Sequence, residues 1–396
     1  MSEWREVALG EVLTLQRGFD ITKKMQRPGS IPVVSSSGIS SFHNEARAEG
    51  PGVAIGRKGS LGTAFFLPSS FWPHDTTLWV KEFKGNDPYF CYLALKTLRL
   101  GELDAGSSNP TLNRNHAHLL PVGVPSVATQ RRIAAVLSAF DELIEINERR
   151  IEVLEDLARS LYREWFVRFR FPGHEDARFV DSALGAIPEG WQVRRLRDFV
   201  STQYGFTASA DDEPVGPRFL RGMDINKRSF VDWSVVPYCK MDEELEAKFK
   251  LEVGDVCVIR MANPGRVGIV ERPIDAVFAS YLVRLRSSEP RVPQYLLFHH
   301  LDASEYQSWI GGSSTGSTRK SASAGVLTEP QVVVPSQEFA ALFDSRIGAL
   351  RGELTTRVEQ SAALAATRDL LLPRLVTGRL EISDIDLGAL LPAEAA

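Results

Sequence analysis

Several side-chain groupings in this chain have residue types and spacings that could do chemistry. Asp75 precedes Glu82-Phe83-Lys84, and Asp232 precedes Glu246-Ala247-Lys248. Two carboxylates and a lysine are what a nuclease uses to hold Mg²⁺ and an attacking water. With 24% of residues charged, however, E-x-K triplets arise by chance, and the second sits in DEELEAKFKLE, which reads as a solvated charged helix. A self-sufficient Mg²⁺-dependent endonuclease is therefore the alternative rather than the first expectation. Asn109-Pro110-Thr111 has part of the short motif that amino-methyltransferases use on a flipped base, but it lacks the aromatic residue. No GxxxxGK[ST] phosphate loop occurs. His43, His74, His116 and His118 have no ligand spacing, and His116 and His118 read as surface or strand residues. Cys91, Cys239 and Cys257 are odd in number and far apart, as expected of buried thiols in a reducing cytoplasm.

A second kind of grouping is basic and glycine-rich. AIGRKGSLG (54–62) and VIRMANPGRVG (258–268) each join two short β-branched runs. They carry Arg57, Lys58 and Ser60 in one case and Arg260, Asn263 and Arg266 in the other. Such turns can reach phosphates or a DNA groove, where Arg and Asn read base edges with paired hydrogen bonds; solubilised hairpin turns would look the same. Two polar segments, one carrying Asn109, Asn113 and Arg114 and the other Arg319 and Lys320, are further candidates for phosphate contact. The copies differ in their polar side chains, Asn109 against Arg319 and Asn113 against Ser323, as expected of one scaffold serving two different sequences.

These groupings recur because the chain repeats itself. One unit opens at Trp4 (WREVALGE) and another at Trp191 (WQVRRLRD), and from Gly106 to Leu161 each residue has its partner 210 positions later. The fold class expected is α+β (mixed α/β), with two globular segments joined by two long antiparallel coiled-coil helices. Equivalent halves tend towards pseudo-twofold symmetry, and duplex DNA suits such a molecule. The globular segments read as short strands at 31–34, 53–55, 61–67 and 77–80, then 256–260, 267–270 and 279–285.

Helix one shows a heptad seam of Ile133, Leu137, Phe140, Ile144, Asn147, Ile151, Leu154, Ala158, Leu161 and Trp165. Its lone polar member, Asn147, is the type of residue that sets register. Helix two keeps the phase with Phe343, Ile347, Leu350, Leu354, Leu364, Leu371 and Leu375, while Arg357, Ser361 and Arg368 are polar. A span of about 34 residues would measure roughly 51 Å, on the order of 15 base pairs of DNA. Phe171-Pro172-Gly173 is expected to stop the first helix, Pro373 to break the second, and the acidic, small tail after Arg379 to be partly mobile.

Net charge is −4, which argues against a protein that coats nucleic acid by bulk electrostatics. Residues 133–166 hold four basic and eight acidic side chains, whereas residues 1–130 hold thirteen against eleven, so the first globular segment is slightly positive. Residues 191–330 balance at eighteen each. No apolar run approaches a membrane span, and no signal-peptide core stands at the N-terminus, so a cytoplasmic location with no membrane partner is expected.

The order W-x-x-V-x-L-x-E, globular segment, G-S-S-x-x-x-L-N, V-x-V-P-x-x-x-x-Q-R-R-I and long helix resembles the specificity subunit of a type I restriction-modification system. The resemblance covers nearly the whole chain and implies a first target recognition domain at 1–130 and a central helical spacer at 131–171. A linker at 172–190, a second recognition domain at 191–335, a distal spacer at 336–378 and a tail at 379–396 would follow. It implies a subunit without chemistry of its own that binds double-stranded DNA at a split target. Its partners would be two methyltransferase subunits and, in the full complex, two restriction/translocase subunits. The assembled complex would be a type I site-specific deoxyribonuclease and adenine-specific methyltransferase. S-adenosylmethionine, ATP and Mg²⁺ would belong to those partners, and no cofactor to this chain. The second copy departs from the pattern where Gln130-Arg131-Arg132-Ile133 becomes Ala340-Ala341-Leu342-Phe343. A coiled-coil scaffold that binds proteins alone is a third possibility.

Overall fold

A computed structural model describes residues 4–104, 111–226, 228–314 and 320–382. Asn109, Arg319 and the tail from 383 onward lie outside the described residues. In the first copy the strands are β1 (Arg5–Ala8), β2 (Thr14–Arg17), β3 (Ile31–Ser35), β4 (Gly38–His43), β5 (Gly52–Gly56), β6 (Ala64–Leu67), β7 (Trp72–Pro73), β8 (Thr77–Glu82) and β9 (Pro121–Val124). Its helices are α1 (Leu9–Val12), α2 (Pro88–Thr97) and α3 (Arg114–His118), followed by the long α4 (Val127–Tyr162). A hairpin of β10 (Phe179–Ser182) and β11 (Gly185–Pro188) comes next.

In the second copy the strands are β12 (Gln192–Arg195), β13 (Val200–Tyr204), β14 (Arg218–Leu220), β15 (Val256–Ile259), β16 (Val267–Ile269), β17 (Ala276–Phe278), β18 (Leu282–Ser287) and β19 (Gln331–Val334). The helices are α5 (Glu243–Phe249), α6 (Gln294–Asp302), α7 (Ser304–Ser313), α8 (Ala324–Thr328) and the long α9 (Gln337–Val376).

The two copies share their topology. Sheet order β2-β8-β5-β6 in one matches β13-β18-β15-β16 in the other. The antiparallel pair β1–β9 matches β12–β19, and parallel β3–β7 matches parallel β14–β17. The central strands β5 and β15 are buried along their whole length, which is why they read in sequence as unbroken runs rather than alternating ones. Each long helix opens on a serine after proline. Ser126 Oγ accepts from Thr129 N at 3.3 Å, and Ser336 Oγ accepts from Phe339 N at 3.4 Å. The first long helix thus begins at Val127, earlier than residue 131.

Two compact units emerge, one of residues 1–145 with 363–396 and one of 146–362. In the first, Leu9, Leu13, Leu15, Ile55, Leu78 and Phe90 form the core with Ile133 and Leu137 of α4 and Leu372, Leu375 and Val376 of α9. Phe140 and Val136 meet Leu364, and Ile144 and Leu371 pack beside them. The polar seam residue Arg368 pairs with Asp141 of α4, which also accepts from Tyr89. In the second unit, Ile151 packs with Leu354 and Val358, Leu154 lies against them, and Trp165 and Phe166 meet Phe343. Ala158, Leu161, Ile347 and Leu350 complete that contact. In each unit the α4 number rises as the α9 number falls, so the helices pack antiparallel. Asn147 is buried on the seam.

Three expectations need correction. Pro373 lies inside α9, which runs on to Val376. An interior proline costs about 3 kcal/mol, but Leu372, Leu375 and Val376 are all buried, and each fully buried aliphatic side chain returns about 1.5–3 kcal/mol. The first helix ends as α-helix at Tyr162, not at Phe171, and continues as a π-turn over Arg163–Val167 that rolls Trp165 and Phe166 into the core. Within 172–190 the chain forms the β10–β11 hairpin. His116 is an exposed surface residue of the short helix α3, whereas His118 on the same helix is partly buried and not on a strand. His118 Nε2 accepts from Leu15 N at 2.9 Å, and burial, with Arg114 and Lys84 nearby, lowers its pKa, as suits an acceptor nitrogen.

Candidate nucleic-acid interface

In the first copy the glycine-rich turn after β5 is closed by its own backbone. Gly56 N donates to Thr63 O at 2.8 Å and Gly62 N to Gly56 O at 2.9 Å. A Cβ on Gly56 would sit 1.9 Å from the Ser60 carbonyl oxygen, so only glycine fits. Arg57 and Lys58 N–H groups both donate to Thr76 O, and Arg57 O accepts from Leu112 N at 3.0 Å. The turn and the polar segment before α3 are thereby brought together. Arg57, Asn113 and Arg114, with Arg17 and Thr111, line a cavity of about 460 Å³. Arg57 is partly buried and its Nη1 has no hydrogen-bond partner among the described residues, whereas Ser60, Asn113 and Arg114 are exposed. The Ser35–Gly38 turn adjoins them, with Ser36 N donating to Thr76 Oγ1 at 3.3 Å.

The second copy repeats this construction with different side chains. Arg260 N donates to Tyr281 O at 2.9 Å, Arg260 O accepts from Ala322 N at 2.8 Å, and Ala262 N donates to Lys320 O at 2.9 Å. Asn263, Arg266 and Lys320 border a cavity of about 340 Å³ with Asn226. All three are exposed, and Asn263 Nδ2 donates to Asn226 Oδ1 at 2.9 Å. Arg260 does not join them. Its guanidinium stacks 5.0 Å over Tyr204 and donates to Ser280 O at 3.4 Å. Asn113 and Ser323 share one local role, since Asn113 Oδ1 accepts from Asn115 N at 2.9 Å and Ser323 Oγ from Val326 N at 3.3 Å. Both residues cap the following helix.

Each candidate interface also has beside it a residue not among the candidates named from the sequence. Gln16-Arg17-Gly18-Phe19 and Gln203-Tyr204-Gly205-Phe206 are equivalent, and a Cβ on Gly18 or Gly205 would lie 2.1 or 2.2 Å from a facing carbonyl oxygen. That shared Q-x-G-F signal marks Arg17 and Tyr204. Arg17 donates to Asp75 at 3.1 Å.

The acidic look-alikes do not gather. Asp75 and Glu82 flank opposite ends of β8, on the order of 20 Å apart at strand rise, and Lys84 Nζ is bonded to Gly10 O. Asp232 caps its own turn through Ser234 N, and Glu246 lies on α5. Among the described residues no group of three His, Cys, Asp or Glu is placed to hold a metal ion. Cys91, Cys239 and Cys257 are buried free thiols. No helix among the described residues is long and apolar enough to cross a membrane. What the two candidate interfaces offer is hydrogen-bond donors on turns, suited to phosphates and base edges.

The family described as type I restriction modification DNA specificity domain matches residues 1–156. The MjaIX type I restriction enzyme specificity subunit of Methanocaldococcus jannaschii is 26% identical over 309 residues, covering 75% of this chain and 70% of the relative. The HindI specificity subunit of Haemophilus influenzae is 20% identical over 338 residues, covering 68% and 71%. The crystal structure of a type I restriction-modification system S subunit from M. genitalium superposes with a TM-score of 0.63 at 14% identity, covering 95% of this chain and 96% of that one. That last likeness concerns the fold.

Proposed function

We propose that the chain is a specificity subunit of a type I restriction-modification system and that each of its globular segments is a target recognition domain reading one half of a split DNA sequence. It is the sequence-specific DNA-binding subunit and not itself an enzyme. The proposed domains are residues 1–130 and 191–335, with 131–171 and 336–378 as spacers. The observation that carries this reading is the same backbone coupling in both copies. Arg57 O to Leu112 N and Arg260 O to Ala322 N hold a glycine-rich turn against a polar segment, with unlike side chains on one scaffold. Arg57, Lys58, Ser60, Asn113 and Arg114 would serve one half-site, and Asn263, Arg266 and Lys320 the other, with Arg260 in a supporting role against the Tyr204 ring.

The partners are the other subunits of a type I complex. We assign the adenine methyl transfer to two methyltransferase subunits that carry S-adenosylmethionine, and cleavage to two ATP-dependent translocating subunits, all in the cytoplasm. Exchanging residues 1–130 for those of another specificity subunit tests the reading. One half of the methylated motif should change while the other half and the gap persist. An unchanged motif, or a change in both halves, contradicts it.

A further inference from the structure

In the second unit an apolar chamber of about 410 Å³ opens beside the turn that carries Asn263. That volume lies within the roughly 300–1,000 Å³ of small-ligand sites. Its walls include Phe206, Phe219, Met223, Ile259, Met261 and Tyr281. Met223 and Tyr281 are 70% and 45% exposed, so a ligand can reach the chamber past them. Arg221 also borders the chamber, but its guanidinium is held by Asp224 at 2.9 and 3.1 Å.

The chamber shares Asn226, Ala262 and Asn263 with the neighbouring polar cavity that holds Arg266 and Lys320. An apolar, aromatic compartment therefore continues into a cationic one, with two side-chain amides at the junction. The hydrogen bond between those amides uses one donor and one acceptor, which leaves further donor and acceptor capacity for a third group. In the first copy, Trp72 takes up the space beside Phe19, with ring centroids 6.3 Å apart. The strand register puts the smaller Val277 at the matching position of the second copy.

We propose that these joined cavities form a nucleotide site. The base lodges against the aromatic and methionine side chains, Asn226 and Asn263 meet its edge, and the phosphate lies against Arg266 and Lys320. A flat heteroaromatic ring joined to a phosphate is what the two compartments complement. The nucleotide is either one turned out of bound DNA or a free one. The site itself does not depend on the DNA-reading assignment, and only the first source does.

Titration calorimetry of the intact chain with the four deoxynucleoside 5′-monophosphates and their nucleosides tests it. At least one monophosphate should bind with a Kd of about 1 mM or tighter, roughly fivefold or more better than its nucleoside. Met223→Trp, which plugs the chamber from an exposed position, and Tyr281→Ala should each weaken that binding about tenfold. Arg266→Ala with Lys320→Ala should reduce the monophosphate to the level of its nucleoside. In the assembled complex, 2-aminopurine placed successively through the half-site should brighten at one position in the native chain and not in Met223→Trp if the source is DNA. Mononucleotide binding without that brightening identifies a free nucleotide. Absence of monophosphate binding, or binding indifferent to Met223→Trp and Tyr281→Ala, overturns the proposal. A methylation motif that still depends on the chain would then leave the specificity-subunit reading standing.

Discussion

Removing the Arg351 guanidinium should loosen one side of the second candidate interface. Arg351 is 1% exposed on α9, with Nε and Nη2 donating to Glu271 at 2.7 and 2.8 Å in a two-pronged pair. Its remaining donors reach Ser229 Oγ at 2.8 Å and Ser229 O at 3.0 Å. Glu155 of α4 accepts from Ser229 N at 3.1 Å. The segment that carries Asn226 is thus tied at Ser229 to both long helices within the unit, and Phe230 packs beside it on Ile151, Leu354 and Val358. Breaking a buried pair by deleting one partner costs about 3–5 kcal/mol, because the other charge stays buried. Arg351→Met should therefore raise local opening about a hundred- to several-thousand-fold. Glu271→Met should do nearly the same. The double variant removes both charges, leaves Ser229 O without a donor, and should cost only about 1–3 kcal/mol. Native-state hydrogen exchange on peptides covering 218–231 and 346–358 reads the change directly. A loss below about 1 kcal/mol in Arg351→Met, or single effects that add in the double variant, would refute the reasoning.

Other perturbations have equally definite outcomes. Gln130 is fully buried, donates to Asn86 Oδ1 and Pro125 O and accepts from Asp87 N, so Gln130→Ala should cost about 1–3 kcal/mol in urea unfolding. Burial holds the His300 imidazole down to about 3 and keeps His299 well below its ordinary value, so both stay neutral in the folded chain while the unfolded chain protonates them below about 6.5. Stability should fall as pH drops from 6.5 towards 5, and His300→Asn should flatten that slope by up to about 1.4 kcal/mol per pH unit, seen in urea midpoints across the range. Leu154→Glu with Leu161→Glu puts two carboxylates into the helix seam and should abolish co-elution with the methyltransferase subunit. Protection of the β13–β18 sheet should survive.

The long helices were legible because a heptad seam is a local pattern. All ten seam positions of α4 and its π-turn are buried or partly buried. Strands β5, β8 and β15 were legible as apolar runs, and the glycine-rich turns between strands by their composition. Strand β4 was not, since GISSFH has no sustained apolar alternation and its pairing with β3 decides its state. The parallel β14–β17 contact joins segments more than fifty residues apart, which periodicity cannot register. Arg351 reads as an ordinary exposed cation beside Leu350, because Glu271 and Ser229 reach it from distant loops. The change from Gln130 to Ala340 looked like an eroded motif. In the second copy Asp344, one turn later, instead accepts from Tyr295 N at 3.2 Å and anchors α6. At the interface, the copies disclosed their turns but not the fate of each side chain, as Arg260 against Tyr204 shows.

Methylation mapping of DNA from cells that express this chain with its methyltransferase subunit is the most direct measurement of the central claim. Adenine methylation should appear at a split motif with a fixed gap and vanish when this chain is omitted. Methylation by an active partner that continues unchanged without the chain would contradict it.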